Sequence, residues 1–284
     1  MTKIVIKFGG SAITQKRETT KFPKAIGEII SRSHEYIRYE DINKLGRAVF
    51  NARTKDPDLQ LVILNGAGPF GHYLVNERGK GDKTITPDLV HQSVEHLNYE
   101  VATKLEDCGV RTVSIYPFNT CSFDGEHNIS ELWNIAKAYI GRGRTPIPMS
   151  YGDPVPTVGC QGEYFTNYQM ISADDLAVKI AKDWSADKII MVTDVSGVYT
   201  EDPSMPNTKL IQKIVTDKDF GRVIQKHNIR FSESGIDITK GLFGKVSKLC
   251  KAAYETGIVS QICGVDGLEA ALAGKEVGTL IVRQ

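Results

Sequence analysis

Short apolar runs rich in β-branched residues punctuate the chain: KIVIKF (3–8), LQLVILN (59–65), RTVSIYP (111–117), TPIPM (145–149), DKIIMVTD (187–194), IVSQICG (258–264) and TLIVR (279–283). Several are apolar almost without interruption, which marks strands covered by helices on both faces, as in a parallel sheet. Stretches of helical character separate them, so the pattern predicts an α/β fold. The helices announce their starts. Thr86, Pro87 and Asp88 supply a cap, a proline at the first helical position and a carboxylate near the positive end, predicting a helix that runs to about Gly109. Ser172 with Asp175 three residues later resembles a capping box before DLAVKIAKDW, with Asp in place of the usual Glu. Between the two, PVPTVGCQGEYF (154–165) alternates and is rich in Pro and Gly, which predicts an antiparallel hairpin.

Length and composition narrow the partners. A chain of 284 residues that is 41% apolar buries a sizeable core, as one large α/β domain or as two lobes meeting near residues 170 to 185. The formal net charge of +1 lacks the basic footprint of a nucleic-acid or anionic-membrane binder and leaves a small molecule as the expected partner. Lys3 and Lys7 break up the first apolar stretch, and no run approaches the roughly 20 residues that cross a bilayer, so a cytoplasmic protein is expected. Five cysteines without a C-x-x-C pair and six scattered histidines point to neither a disulfide framework nor a bound metal.

The candidate chemistry lies in two glycine turns. GAGPFG (66–71), followed by His72, satisfies G-x-G-x-x-G after a strand and brings backbone N–H groups to an anion at a helix N-terminus. A dinucleotide-binding reading also needs an acidic residue after the next strand, and RTVSIYP ends without one. The second turn is KFGGS (7–11), directly after the first strand, where Gly9 and Gly10 admit close backbone approach and Ser11 adds a hydroxyl. Lys7 precedes this turn, Lys16 follows it, and Lys245 sits near the start of a C-terminal helix. Positive charge and backbone amides around two phosphates held in line are what phosphoryl transfer requires.

KFGGS, NGAGPFGH, SADDLA, TDVSGVYTEDP and DITKGLFGK occur in the order seen in the amino acid kinase superfamily, over residues 7 to 245. Within it, the F-G-H ending of the glycine loop and I-T-x-K after the first turn resemble the isopentenyl phosphate kinases; fosfomycin kinase shares the F-G-H ending. The resemblance implies an open, mainly parallel αβα sandwich. Residues 1–170 would form a lobe holding the phosphate acceptor and 171–284 a lobe holding ATP, on one continuous sheet. It further implies that Lys7, Gly9, Gly10 and Ser11 form the first phosphate turn and that Lys16 stabilises the transferring group. Ala67, Gly68 and His72, with Ala173, would hold the acceptor; Asp174 would position the lysines. Asp194, Tyr199, Gly241 and Lys245 would serve the nucleotide. ATP with Mg2+, a homodimer and no enzymic nucleophile or base complete the expectation, because an acceptor phosphate oxygen is already anionic at neutral pH.

This chain departs from the family at Asn65, where a histidine is usual, at Ala67 and Ala173, where glycine is found, at Pro69, where a small residue is common, and at Lys240, which replaces a glycine. These changes bear on the acceptor more than on ATP, and a phosphonate or carboxylate acceptor stays open. A non-catalytic binding protein on the same scaffold, as in the molybdenum storage proteins, would lose the lysine and aspartate set retained here. Residues 16–36 are polar and irregular and read as either a mobile flap near the acceptor or a surface excursion. Tyr73, Leu74, Val90 and Val94 read as a tail pocket or as plain core.

Overall fold

Each predicted run contains a strand, and the strands share one sheet. The computed structural model describes residues 1–15, 22–141, 145–158, 168–227, 229 and 238–283. In chain order its first half comprises β1 (Lys3–Phe8), α1 (Gly10–Ile13), α2 (Ile26–Arg32), α3 (Tyr39–Lys55), β2 (Gln60–Asn65), α4 (Pro69–Gly79), α5 (Pro87–Asp107), β3 (Thr112–Ser114), α6 (Pro117–Thr120), β4 (Ser122–Asp124), β5 (Glu126–Asn128) and α7 (Ser130–Tyr139). The second half comprises β6 (Ile147–Tyr151), β7 (Asp153–Pro156), β8 (Tyr168–Ile171), α8 (Ala173–Trp184), β9 (Lys188–Thr193), β10 (Lys213–Thr216), α9 (Phe220–Lys226), α10 (Ile238–Thr256), β11 (Val259–Gly264), α11 (Leu268–Leu272) and β12 (Thr279–Arg283).

The sheet has eight strands in the order β10-β12-β11-β9-β1-β2-β6-β3. Pairing is parallel from β11 through to β3, and β12 runs antiparallel to β11. The carboxyl ends of β1, β2, β6, β9 and β11 therefore share one edge, the edge where open α/β sheets gather their binding loops. β1 lies inside the sheet because its residues serve both faces. Ile4, Ile6 and Phe8 enter the core beneath α3 and α5, whereas Val5 enters the core beneath α8 and α10. Lys7 has the parity of Val5 and so turns toward α8 and α10.

Two helix starts follow their caps. Thr86 accepts the Leu89 N–H at 3.2 Å, and Ser172 accepts the Asp175 N–H at 3.1 Å while donating to its carboxylate at 2.6 Å. The hairpin predicted within 154–165 is corrected: β7 pairs antiparallel with β8, so the returning strand starts at Tyr168, and residues 159–167 lie outside those described. RTVSIYP yields strand only at Thr112–Ser114, because Pro117 opens α6. Part of the suspected flap is anchored. Phe22 is buried with its ring 4.9, 5.1 and 5.7 Å from those of Tyr36, Phe70 and Tyr73, and Lys24 forms ion pairs with Glu77 and Asp82, both at 2.9 Å. Residues 16–21 of that segment lie outside those described.

Candidate active site

The sheet's carboxyl edge joins a lysine from its middle with a carboxylate from the first turn of α8. Lys7 is only 6% exposed, and its Nζ stands 2.8 Å from Asp174 Oδ1. Burial by itself would raise the Asp174 pKa, but the charges of Lys7, Lys245 and Lys248 outweigh it and hold the carboxyl well below the usual range. Three of the residues expected to work together, Lys7, Asp174 and Lys245, are thus brought into one electrostatic cluster. Lys245 is itself buried, one turn into α10 beyond Gly241, which lies in that helix's opening turn. Lys248 escaped the sequence reading, one lysine among several on a basic helix. It contacts the Asp175 carboxylate at 2.7 Å and the Ser172 hydroxyl at 3.2 Å, fastening α10 to the start of α8.

The two glycine turns pack backbone against backbone. The Gly9 N–H donates to Val192 O at 2.8 Å and the Gly66 N–H to Phe8 O at 2.8 Å, which extends the ladder beyond β1 and β2. A Cβ on Gly10 would lie 2.5 Å from the Gly68 nitrogen, and one on Gly66 would lie 2.5 Å from the Gly10 nitrogen. Any side chain there pushes the turns apart. Gly68 caps α4 at φ +50, with Pro69 at the first helical position, so the amides of Phe70 and Gly71 face outward from the helix start without intrahelical acceptors. Ala67 precedes this cap, and His72 is exposed in the first turn of α4 with its own N–H bonded to Gly68 O. Ala173 opens α8 beside Asp174.

The remaining expected residues spread along the same edge. The Ser11 hydroxyl lies 3.4 Å from that of Thr193, which donates to Asp194 at 3.1 Å. Asp194 and Tyr199 line a cavity of about 500 Å³ with Arg38, Lys44 and Asp266, toward the α3 face of the sheet. Lys16 lies outside the described residues. Asn65, which stands where the family has histidine, is fully buried; it accepts from Asn98 at 2.7 Å, which in turn accepts from Ser114 at 2.6 Å. It ties the glycine turn after β2 to α5 and β3. Leu74, Val90 and Val94 are buried core residues.

The donor chemistry fits a polyphosphate: two buried lysines, a third beside them, outward-facing amides at a helix start, and turns too tight for any Cβ. Among the described residues no group of three or more His, Cys, Asp or Glu stands together to hold a metal ion, and no helix is long and apolar enough to cross a membrane.

A mainly parallel αβα sandwich with lysines and glycine turns gathered at its carboxyl edge has the form of a phosphotransferase. The chain belongs to the amino acid kinase family, whose sequence model matches residues 2–264. It is 29% identical over 226 residues to the isopentenyl phosphate kinase of Thermoplasma acidophilum, covering 78% of this chain and 79% of that one. With the isopentenyl phosphate kinase of Methanothermobacter thermautotrophicus it shares 27% identity over 294 residues, 98% of each chain. A solved isopentenyl phosphate kinase superposes with a TM-score of 0.70 at 24% identity, covering 99% of this chain and all of the other, a likeness of fold.

Proposed function

We propose that the chain transfers the γ-phosphoryl group of magnesium-bound ATP to a small phosphate monoester, with isopentenyl phosphate as the acceptor and isopentenyl diphosphate as the product. The observation that carries this reading is the cluster of Lys7, Lys245 and Lys248 around Asp174 beside the paired glycine turns. The acceptor identity is favoured by relatives of that name that align over nearly the whole chain.

In this reading Gly9, Gly10 and Ser11 cradle the nucleotide's phosphates while Ala67, Gly68 and His72, beside Ala173, hold the acceptor's. Asp194, Tyr199 and Gly241 serve the nucleotide. Lys7, Lys16 and Lys245 meet the charge that develops on the transferring group, and Asp174 fixes where the lysine ammonium groups stand. Their placement before reaction is the catalytic contribution, since preset charge costs no reorganisation at the moment of transfer. No residue need remove a proton. The acceptor oxygen attacks as an anion, the bond to the nucleotide's bridging oxygen breaks, and ADP leaves with that electron pair. Residues 1–170 form the acceptor lobe and 171–284 the nucleotide lobe, and the enzyme works as a homodimer.

The test is to incubate purified protein with ATP, magnesium and isopentenyl phosphate and to seek isopentenyl diphosphate by mass spectrometry. Phosphonate, acetylglutamate, aspartate and uridylate run in parallel. Product from one of these alone moves the enzyme to another branch of the family; nucleotide binding without any product makes it a binding protein.

A further inference from the structure

A single buried carboxylate joins three elements beside the acceptor loop. Asp153, the first residue of β7, is fully buried. It accepts from His91 Nδ1 at 3.0 and 3.1 Å and from the Phe118 amide at 3.0 Å. His91 belongs to the early turns of α5 and Phe118 to α6, so one side chain fixes segments far apart in sequence. The rings then stack: His91 lies 4.1 Å from Phe118 at 18°, and Phe118 lies 5.5 Å from Tyr168 at 14°.

This assembly flanks the proposed acceptor loop. A Cβ on Gly71 would come within 3.1 Å of Val94, three residues beyond His91, and Asn98 on the same helix bonds Asn65 beneath the loop. On the other side Asp153 pairs with Ile171, and a Cβ on Gly152 would lie 2.8 Å from the Ala173 nitrogen, immediately before Asp174. Burying a carboxylate is costly, and an apolar contact of the same volume would hold these segments at least as firmly. What the hydrogen bonds add is a fixed orientation.

We propose that Asp153 and His91 are positioning residues for the acceptor, holding the stacked rings of His91, Phe118 and Tyr168 as a rigid block whose ring edges run along the acceptor's tail and so selecting the tails that are phosphorylated. The inference rests on the phosphate-monoester reading above. Stacked rings suit a short branched or unsaturated hydrocarbon. Asp88 and Glu95 on α5, the latter 3.8 Å from His91 Nε2, add negative charge that disfavours an anionic tail.

The pair also titrates. Burial opposes charging of His91, but the hydrogen bond and charge of Asp153 prevail, helped by Glu95 and Asp88, and its pKa is raised. Burial pushes Asp153 up to about 6, against the pull of His91. The pair is imidazolium and carboxylate from about pH 6 to the raised His91 value, and above that value the ring is neutral. Tyr116 and Tyr151 beside it stay uncharged, since burial raises both.

The experiment compares wild type with His91→Asn, which keeps a donor near the Nδ1 position, His91→Phe, which keeps only a ring, and Asp153→Asn. Each fold is checked by circular dichroism, and the acceptors are methyl, isopentenyl and 3-carboxypropyl phosphate. The clamp predicts that His91→Phe and Asp153→Asn raise the isopentenyl phosphate KM roughly ten-fold or more and level the preference among tails, while the ATP KM barely moves. His91→Asn, which keeps a bond to Asp153 but loses one ring of the stack, recovers part of the loss and removes the contribution of His91 to the pH profile of the acceptor kcat/KM. Folded variants with unchanged acceptor KM and tail preference overturn the inference. Should the two harsher variants fail to fold, an acceptor KM and tail preference in folded His91→Asn that equal those of wild type overturn it alone. A wild type that phosphorylates no monoester overturns the reading of the site and this inference together, whereas an active wild type with indifferent variants overturns only the clamp.

Discussion

Lys7 Nζ and Asp174 Oδ1 stand 2.8 Å apart, joining the strand inside the sheet to the first turn of α8. Because Lys7 is buried, removing only its partner leaves an uncompensated charge. Asp174→Asn should destabilise the protein by about 3 to 5 kcal/mol in urea unfolding, and Lys7→Met with Asp174→Leu should recover most of that loss. Activity should separate from stability. Both the single and the double variant should lose roughly 10² to 10³ in kcat, the typical effect of removing one preset electrostatic contact. A double variant that regains turnover along with stability would remove the pair from the chemistry.

The same carboxylate predicts a pH dependence. Its folded pKa is depressed, so its stabilisation is fully present above the unfolded carboxyl value, about 3.9, and is lost as pH falls through the lower folded value. The stability difference between wild type and Asp174→Asn should hold steady through neutral pH and narrow only below about pH 4. Urea midpoints measured across that range check it; a gap that closes near pH 6 would trace to another group.

The backbone contact of the two turns predicts a contrast between glycines. A methyl group at Gly10 meets the Gly68 nitrogen at 2.5 Å and its Cα at 2.9 Å, both main-chain atoms that move only with the second glycine turn. Gly10→Ala should cost about 10² in kcat/KM, the price of misplacing reacting groups by an ångström. Gly79 in α4 meets nothing within 4 Å, and Gly79→Ala should leave activity intact and stabilise by about 0.4 to 1 kcal/mol. Parallel kinetics and thermal melts of the two variants decide it.

The sequence exposed those parts of the site that break a local pattern. Lys7 interrupts an apolar strand, the glycine turns follow strand ends, and Thr86 and Ser172 cap helices where they stand. Nothing local marks Asp153 or His91, each unremarkable in its own segment and meaningful only because β7 and α5 meet above the sheet. Lys248 is hidden among the other lysines of α10. The hairpin's second strand was misplaced because Tyr168–Ile171 lies beyond the Pro- and Gly-rich stretch that signalled it. β4 and β5, three residues each and largely polar, carry no hydrophobic signature.

Phe22 predicts how the segment after the first turn is held. Its ring packs against that of Phe70, the second residue of α4 and two residues before His72. Phe22→Ala should destabilise by about 3 to 5 kcal/mol, and Phe22→Leu by considerably less because most of the volume is kept. Because the lost contacts reach α4, the acceptor KM should rise while nucleotide binding is spared. Calorimetric melts and two-substrate kinetics separate these effects; an unchanged melting temperature would mean that Phe22 does not anchor the segment.

His72 is the residue whose role is most directly tested. It stands in the first turn of α4, where the amides of Phe70 and Gly71 and the helix dipole already favour an anion, and an imidazole adds a donor to the same oxygens. Being exposed, it does little for the core, so His72→Ala should fold normally. The acceptor KM should rise, or its kcat/KM fall, roughly ten-fold to over a hundred-fold, the worth of a charged hydrogen bond of about 1.5 to 3 kcal/mol. Binding of ATP alone, followed by calorimetric titration, should change little. His72→Gln, which retains a donor without the ring, should fall between the alanine variant and wild type. If nucleotide affinity collapses while the acceptor parameters hold, the loop serves ATP, and the assignments of the two glycine turns are reversed.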